Sequence, residues 1–70
     1  MSRKTYLQTK IRGQQAWFAG WRANGEPKFV DSRQEAVRFK SPFLASVYKE
    51  RNRIGQRAYG LPVIVASVID

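Results

Sequence analysis

The chain contains no cysteine and no histidine. Zinc sites in proteins take most of their ligands from these two side chains, and so we expect no structural zinc. A cysteine nucleophile is excluded, as is a histidine acting as a general base near neutral pH. The absence of disulfides is in keeping with a reducing compartment, and we predict a cytoplasmic protein.

Acidic residues are also few, with five Asp and Glu against thirteen Lys and Arg. The acids are spread thinly, so that no two of them are placed as a catalytic dyad or as a cage for a hard cation. No glycine-rich phosphate loop and no dinucleotide fingerprint occurs. We therefore expect no catalytic residue, no metal and no cofactor, and we predict that the protein is not an enzyme.

Long hydrophobic runs are missing as well. The longest covers residues 61–69, far short of the roughly 20 residues that a membrane-spanning helix needs. No apolar run follows the basic start of the chain, and we expect no secretory signal. The 70 residues are enough for a single small domain, residues 1–70, with no disulfide or metal to strengthen it. Domains of this size often gain stability by self-association, and we expect a homodimer.

Positive charge is what the chain has in excess. The formal net charge is +8, and the isoelectric point is about 10.7. Such a charge attracts polyanions over a Debye length, which is about 10 Å at 0.1 M salt. We therefore expect the partner to be a nucleic acid or an acidic protein, and neither a membrane nor a small-molecule substrate.

The pattern of apolar residues and turn signals predicts an α+β fold of the order βββαβ. A short helical turn is expected at residues 33–39. The main helix should begin at Pro42, with Ser41 as its cap, and should end at Gly55. Three meander strands and a last strand beside the first give the sheet order 3-2-1-4, with the helix on one face. The predicted strands are residues 6–11, 16–23, 26–30 and 62–69.

The predicted turns determine which side chains share a face of the sheet. Asn24-Gly25 is a strong hairpin signal, because both central residues of a type I′ turn have positive φ. A two-residue loop there pairs Trp21 with Lys28, and a turn at residues 12–15 places Tyr6 on the same side. The face turned away from the helix then carries three aromatic rings and two lysines without an acid.

Aromatic rings flanked by cations suit unpaired bases, which stack on such rings for ~1–3 kcal/mol each. Duplex DNA is the alternative ligand, with the sheet in the major groove and the basic rim on the phosphates. The predicted nucleic-acid-binding residues are Lys10, Arg12, Trp17, Trp21, Arg22, Lys28, Arg38 and Lys40.

A homodimer interface is the competing interpretation of the same face. Both faces of the last strand are apolar, whereas a single helix covers only one side of a sheet. A second copy of the chain would cover the other side. The residues of this alternative interface are Tyr6, Trp17, Trp21, Val63 and Val65. On the helix, we expect Phe43, Leu44 and Tyr48 to lie in the core.

Residues 31–48, with Glu35-Ala36, Phe39, Ser41 and Ala45, resemble a pattern common in small phage and prophage proteins. In those proteins a hairpin is followed by a short helix and a valine-rich last strand. The resemblance implies a phage or prophage origin. The order of elements is also similar to the arm-type DNA-binding domains of tyrosine recombinases, which read DNA with the sheet, and to small phage inhibitors of host RNA polymerase. The likeness to the recombinase domains implies DNA binding. The competing hypothesis is a protein-interaction module, a phage factor that docks on an acidic host protein, since likeness of fold does not determine function.

Overall fold

The computed structural model describes residues 3–69. The strands are β1 (Arg3–Ile11), β2 (Gln14–Trp21), β3 (Pro27–Val30) and β4 (Ile64–Ile69). A 3₁₀ turn (Arg33–Glu35) and the helices α1 (Pro42–Asn52) and α2 (Ile54–Arg57) lie between β3 and β4. The strands form one antiparallel sheet in the order β3-β2-β1-β4. The predicted α+β fold and its strand order are therefore confirmed.

The core lies between the sheet and the two helices, on what we call the helix face of the sheet. Leu7, Phe18 and Ile54 have no exposed surface, and Ala45 of α1 is equally buried against them. Burying an aliphatic or aromatic side chain of this size contributes about 1.5–3 kcal/mol. These residues account for the position of α1 across β1 and β4.

The helix α1 begins as the sequence predicts and presents a different stripe to the sheet. The Ser41 hydroxyl accepts a hydrogen bond from the Leu44 amide at 3.1 Å, and Pro42 occupies the first turn. The prediction that Phe43 and Leu44 lie in the core is wrong, since they are 72% and 47% exposed. Ala45 faces the sheet instead, because its small side chain lets the helix approach closely.

The first hairpin turns through the two-residue loop Arg12-Gly13, whose φ values of 54° and 80° are both positive, as in a type I′ turn. Gln8 pairs with Trp17, whereas the four-residue turn predicted at residues 12–15 pairs Lys10 with Trp17. The two registers differ by an even number of residues, so each side chain keeps its face. The placement of Tyr6, Lys10 and Trp17 opposite the helix face, on the rear face, is confirmed.

The second hairpin has a three-residue loop where the sequence predicts a two-residue loop. The Gly25 amide bonds to the Arg22 carbonyl at 3.0 Å, and the Arg22 amide bonds to the Glu26 carbonyl at 2.8 Å. This loop needs a positive φ at Gly25 alone, where it is 86°. The pairing moves by one residue, so that Trp21 lies opposite Pro27 on the helix face. The prediction that Trp21 lies on the rear face is therefore wrong.

A β-bulge at Ala19 then shifts the pairing by one further residue. Beyond the bulge, Phe18 pairs with Phe29 on the helix face, and Trp17 pairs with Val30 on the rear face. A bulge also bends its strand, which carries the end of β2 toward the helices. The two shifts add to two residues, an even number, so Trp17 and Val30 lie on the predicted rear face although the predicted loop and pairing are wrong.

The segment between β3 and α1, residues 31–40, passes from the rear face to the helix face, and we call it the connector. The Val37 amide bonds to the carbonyl of Phe18 in β2 at 2.9 Å. Two residues later, the Phe39 amide bonds to the carbonyl of Thr5 in β1, also at 2.9 Å. The connector therefore fills an opening between β1 and β2. Val37 and Phe39 pack against the core as it passes.

Candidate functional site

Trp21 lies beneath α1, half-buried and packed against the core. Its Nε1 donates a hydrogen bond to the Tyr48 hydroxyl at 2.9 Å, and its ring meets Phe18 edge-on at 5.5 Å between centroids. The three-residue loop of the second hairpin produces this placement, since it turns Trp21 to the helix face. Trp21 therefore cannot stack on a base at the rear face, contrary to the sequence prediction.

Tyr6 and Trp17 lie on the rear face, but the chain itself covers them. Tyr6 is 3% exposed and Trp17 is 8% exposed. The guanidinium carbon of Arg33, in the connector, lies 5.9 Å from the Tyr6 ring centroid and 6.0 Å from that of Trp17. Each cation–π contact of this kind contributes about 0.5–2 kcal/mol. The rear face thus presents a guanidinium group where the sequence predicts open aromatic rings.

Basic side chains from three parts of the chain lie on the rear face. The alternation of β1 brings Lys4 and Lys10 to it, because both share the parity of Tyr6. Lys28 lies on the same side of β3, opposite in direction to the core residue Phe29. Arg33 and Arg38 come from the connector. We call these five residues the basic face: Lys4, Lys10, Lys28, Arg33 and Arg38.

Part of the basic face is concave. A depression of about 450 Å³ is lined by Lys4, Tyr6, Arg33, Gln34, Ala36 and Arg38. Three of these six residues are cationic and none is acidic. Positive groups around a concave surface concentrate the electrostatic potential there, and guanidinium groups match the oxygens of a phosphate. The lining of the depression therefore favours an anionic group over a cationic one.

Polar side chains continue the basic face toward the first hairpin. Lys10 pairs directly with Gln15 across β1 and β2, and Gln8 lies next to them on the same face. Lys10 and Gln15 are exposed, and Gln8 is half-buried. Amide and ammonium groups of this kind reach base edges in the major groove, as well as phosphates.

The remaining predicted binding residues lie away from the basic face. Arg12 is exposed at the tip of the first hairpin, and Lys40 is exposed just before α1. Arg22 lines a small depression beside Glu26 and Arg57, on the side of the second hairpin next to α2. Of the predicted set, Lys10, Lys28 and Arg38 therefore lie on the rear face.

Two residues of the basic face, Lys4 and Arg33, were not predicted from the sequence. Lys4 continues the alternation of Tyr6 and Lys10 back toward the start of β1, and that alternation is a signal for its face. Arg33 gives no such signal, because its place depends on the path of the connector. The predicted dimer residues Val63 and Val65 belong to the core on the helix face, which contradicts their role in a rear-face interface.

The second hairpin and α2 are joined by exposed polar contacts. The Tyr59 hydroxyl donates a hydrogen bond to Glu26 Oε1 at 2.6 Å. This hydrogen bond, together with the negative charge of Glu26, raises the pKa of the Tyr59 phenol above its ordinary value. The guanidinium carbon of Arg57 lies 5.6 Å from the Trp21 ring centroid. These contacts hold the end of β2 against α2, outside the basic face.

Residues 3–69 contain no group of three or more acidic, histidine or cysteine side chains that could hold a metal ion. Within the same range, each helix is too short or too polar to cross a membrane. No protein-family model, no curated protein and no solved structure matches the chain.

Proposed function

We propose that this protein is a non-enzymatic nucleic-acid-binding protein that uses its basic face to bind phosphates. The observation that carries the proposal is that five cations from β1, β3 and the connector lie on one side of the sheet. Lys10, Lys28 and Arg38 among them are exposed. The net charge of +8 adds a long-range attraction toward polyanions.

Duplex is the form of nucleic acid that this surface suits. Stacking on single strands needs exposed ring faces, whereas Tyr6 and Trp17 are buried beneath Arg33. A duplex instead offers phosphates in a regular array along a groove that a β-sheet surface can enter. Lys10 and Gln15 lie side by side where base edges would be reached.

The proposal is tested by the salt dependence of binding to a labelled duplex, measured by fluorescence anisotropy. Each phosphate contact contributes about −0.9 to the slope of log K against log salt concentration. We expect the double variant Lys10→Gln/Arg38→Gln to bind more weakly and to lower the magnitude of that slope by about 2.

A matched control removes the same charge from another surface. Arg51 and Arg53, at the end of α1, are exposed and belong to the opposite side of the sheet from Lys10. Arg51→Gln/Arg53→Gln should leave the slope close to that of the unaltered protein. Equal losses from the two double variants would show that only overall charge matters and would overturn the basic face as a site. Absence of binding at low salt would overturn the function itself.

Tryptophan emission distinguishes duplex binding from base stacking. Because Trp17 is buried and Trp21 lies on the helix face, bonded to Tyr48, we expect a short single strand to bind more weakly than a duplex of the same length and to leave the emission almost unquenched. A preference for single strands with strong quenching would contradict the proposal. A second pair of results would also contradict it. In that case the protein captures an acidic protein from a bacterial lysate even after nuclease treatment, and it binds the duplex no better than a neutral polymer.

A further inference from the structure

The two edges of the sheet are built differently. The β3 edge has only four residues, begins with Pro27 and carries Lys28. A short edge strand, a proline and a charged side chain each discourage pairing with another strand. The β4 edge has six residues, Ile64–Ile69, with neither proline nor any charged side chain among them. One side of β4 pairs with β1, and the backbone groups on its other side face outward. An edge of this length and composition is a template for a further strand.

The rear face of the β4 edge is apolar, and its helix face is apolar apart from Ser67. Ile64 is paired with Gln8 on the rear face and is 56% exposed, and Ile69 on the helix face is 58% exposed. Ala66 and Val68 continue the rear-face row, and Val65 continues the row on the helix face. A six-residue segment of Ile, Val, Ala and Ser with no charge has a strong tendency to form β structure with its own kind.

We propose that β4 pairs antiparallel with β4 of a second copy of this chain, forming one continuous sheet across a two-fold axis. A second copy fits because β4 carries no charge with which to select an acidic or basic partner, whereas its apolar rear-face row matches the same row of another copy. With the axis at Ala66, Ile64 aligns with Val68 across the axis on the rear face, and Val65 aligns with Ser67 on the helix face. A small domain without a disulfide also gains buried area from the pairing.

The geometry of the pairing places both rear faces on one side of the joined sheet, because the two-fold axis is perpendicular to it. Two basic faces then point in the same direction, and the two copies, each of charge +8, repel one another. Added salt screens this repulsion, and so it strengthens the dimer, whereas it weakens any binding to phosphates. The proposed dimer does not depend on nucleic-acid binding. The opposite salt dependences allow dimerisation and phosphate binding to be distinguished.

Sedimentation equilibrium of the unaltered protein, Ile64→Lys and Phe43→Lys tests the proposal. Across roughly 1 μM to 1 mM protein, we expect the unaltered chain to reach twice its 8.1 kDa mass, more readily at high salt. Ile64→Lys should stay monomeric, because it places a charge on the apolar row at the edge. Phe43→Lys is the matched control, since it adds the same charge at an exposed apolar residue of α1 and should dimerise normally.

Amide hydrogen exchange supplies a second readout that also reports whether the variant is folded. Alternate amides of an edge strand point away from the neighbouring strand, and they exchange quickly unless another strand pairs with them. In the dimer, the outward amides of residues 64–69 should be protected, and in Ile64→Lys those amides alone should become fast. A monomeric unaltered protein, a dimer broken by Phe43→Lys and not by Ile64→Lys, or unprotected outward amides in the dimer would each overturn the proposal.

Discussion

Replacing Tyr48 with phenylalanine tests the position of Trp21 beneath α1. The change removes the hydroxyl that accepts the bond from Trp21 Nε1 and keeps the ring, which contacts Phe18 at 5.9 Å and Phe39 at 5.2 Å between centroids. A hydrogen bond of this kind contributes about 0.5–1.5 kcal/mol net. Trp21 is half-buried, so water can partly replace the lost acceptor. We therefore expect the free energy of unfolding to fall by about 1 kcal/mol, which lowers Tm by about 4–8 °C in a domain of this size.

The assay is a double-mutant cycle read by urea unfolding, with circular dichroism as the probe common to all variants. The cycle combines Tyr48→Phe with Trp21→Phe and should give a coupling energy of about 1 kcal/mol. Tyr48→Phe with Trp17→Phe is the control. Trp17 lies on the other face of the sheet, and so the coupling energy of that pair should be close to zero.

A coupling energy near zero between Tyr48 and Trp21 would refute the three-residue loop of the second hairpin as well as the hydrogen bond. Trp21 would then belong on the rear face, as a two-residue loop at Asn24-Gly25 requires. The Trp21 indole would then lie on the rear face, and base stacking would again be a possible mode of binding.

Three further predictions concern local contacts. Glu26→Gln should lower the pKa of the Tyr59 phenol toward its ordinary value, measured by ultraviolet titration of tyrosinate against the unaltered protein. Because folding raises that pKa, the contact should add stability at pH values below the ordinary pKa of 10.0 and lose it as the pH rises through the raised value. Arg12→Asn should raise the free energy of unfolding by about 0.5–1 kcal/mol, because asparagine tolerates the φ of 54° better than arginine, and an unchanged urea midpoint would contradict this account. Ser41→Ala should lower the free energy of unfolding by about 1 kcal/mol through loss of the cap on α1, and Ser46→Ala on the exposed side of α1 is its control.

The sequence predicts the strand order because alternation and turn signals are local. It does not predict the face of Trp21, because Asn24-Gly25 fits both a two-residue loop and a three-residue loop with glycine at the positive φ. A difference of one residue reverses every side chain up to the next irregularity, which is the bulge at Ala19. Gly20, with a φ of 121°, is the one local hint of that bulge, and glycine alone is a weak signal.

The candidate site was predictable where it depends on alternation and unpredictable where it depends on the connector. Lys10 and Lys28 follow from the parity of their strands. Arg33 reaches the rear face because the connector enters between β1 and β2, and that opening arises from tertiary structure. The spacing of Phe43 and Leu44 on α1 is that of an apolar stripe and predicts a place in the core, yet the stripe that packs begins at Ala45.

The connector also determines the register in which β1 pairs with β2. A slip of β1 against β2 by two residues leaves every side chain on its own face, so that hydrophobic patterning alone does not prevent it. The connector prevents the slip, because the Val37 amide is hydrogen-bonded to the Phe18 carbonyl and the Phe39 amide to the Thr5 carbonyl. A slip would break one of these two hydrogen bonds. The ten residues of the connector thereby allow only one alignment of β1 with β2, the two longest strands.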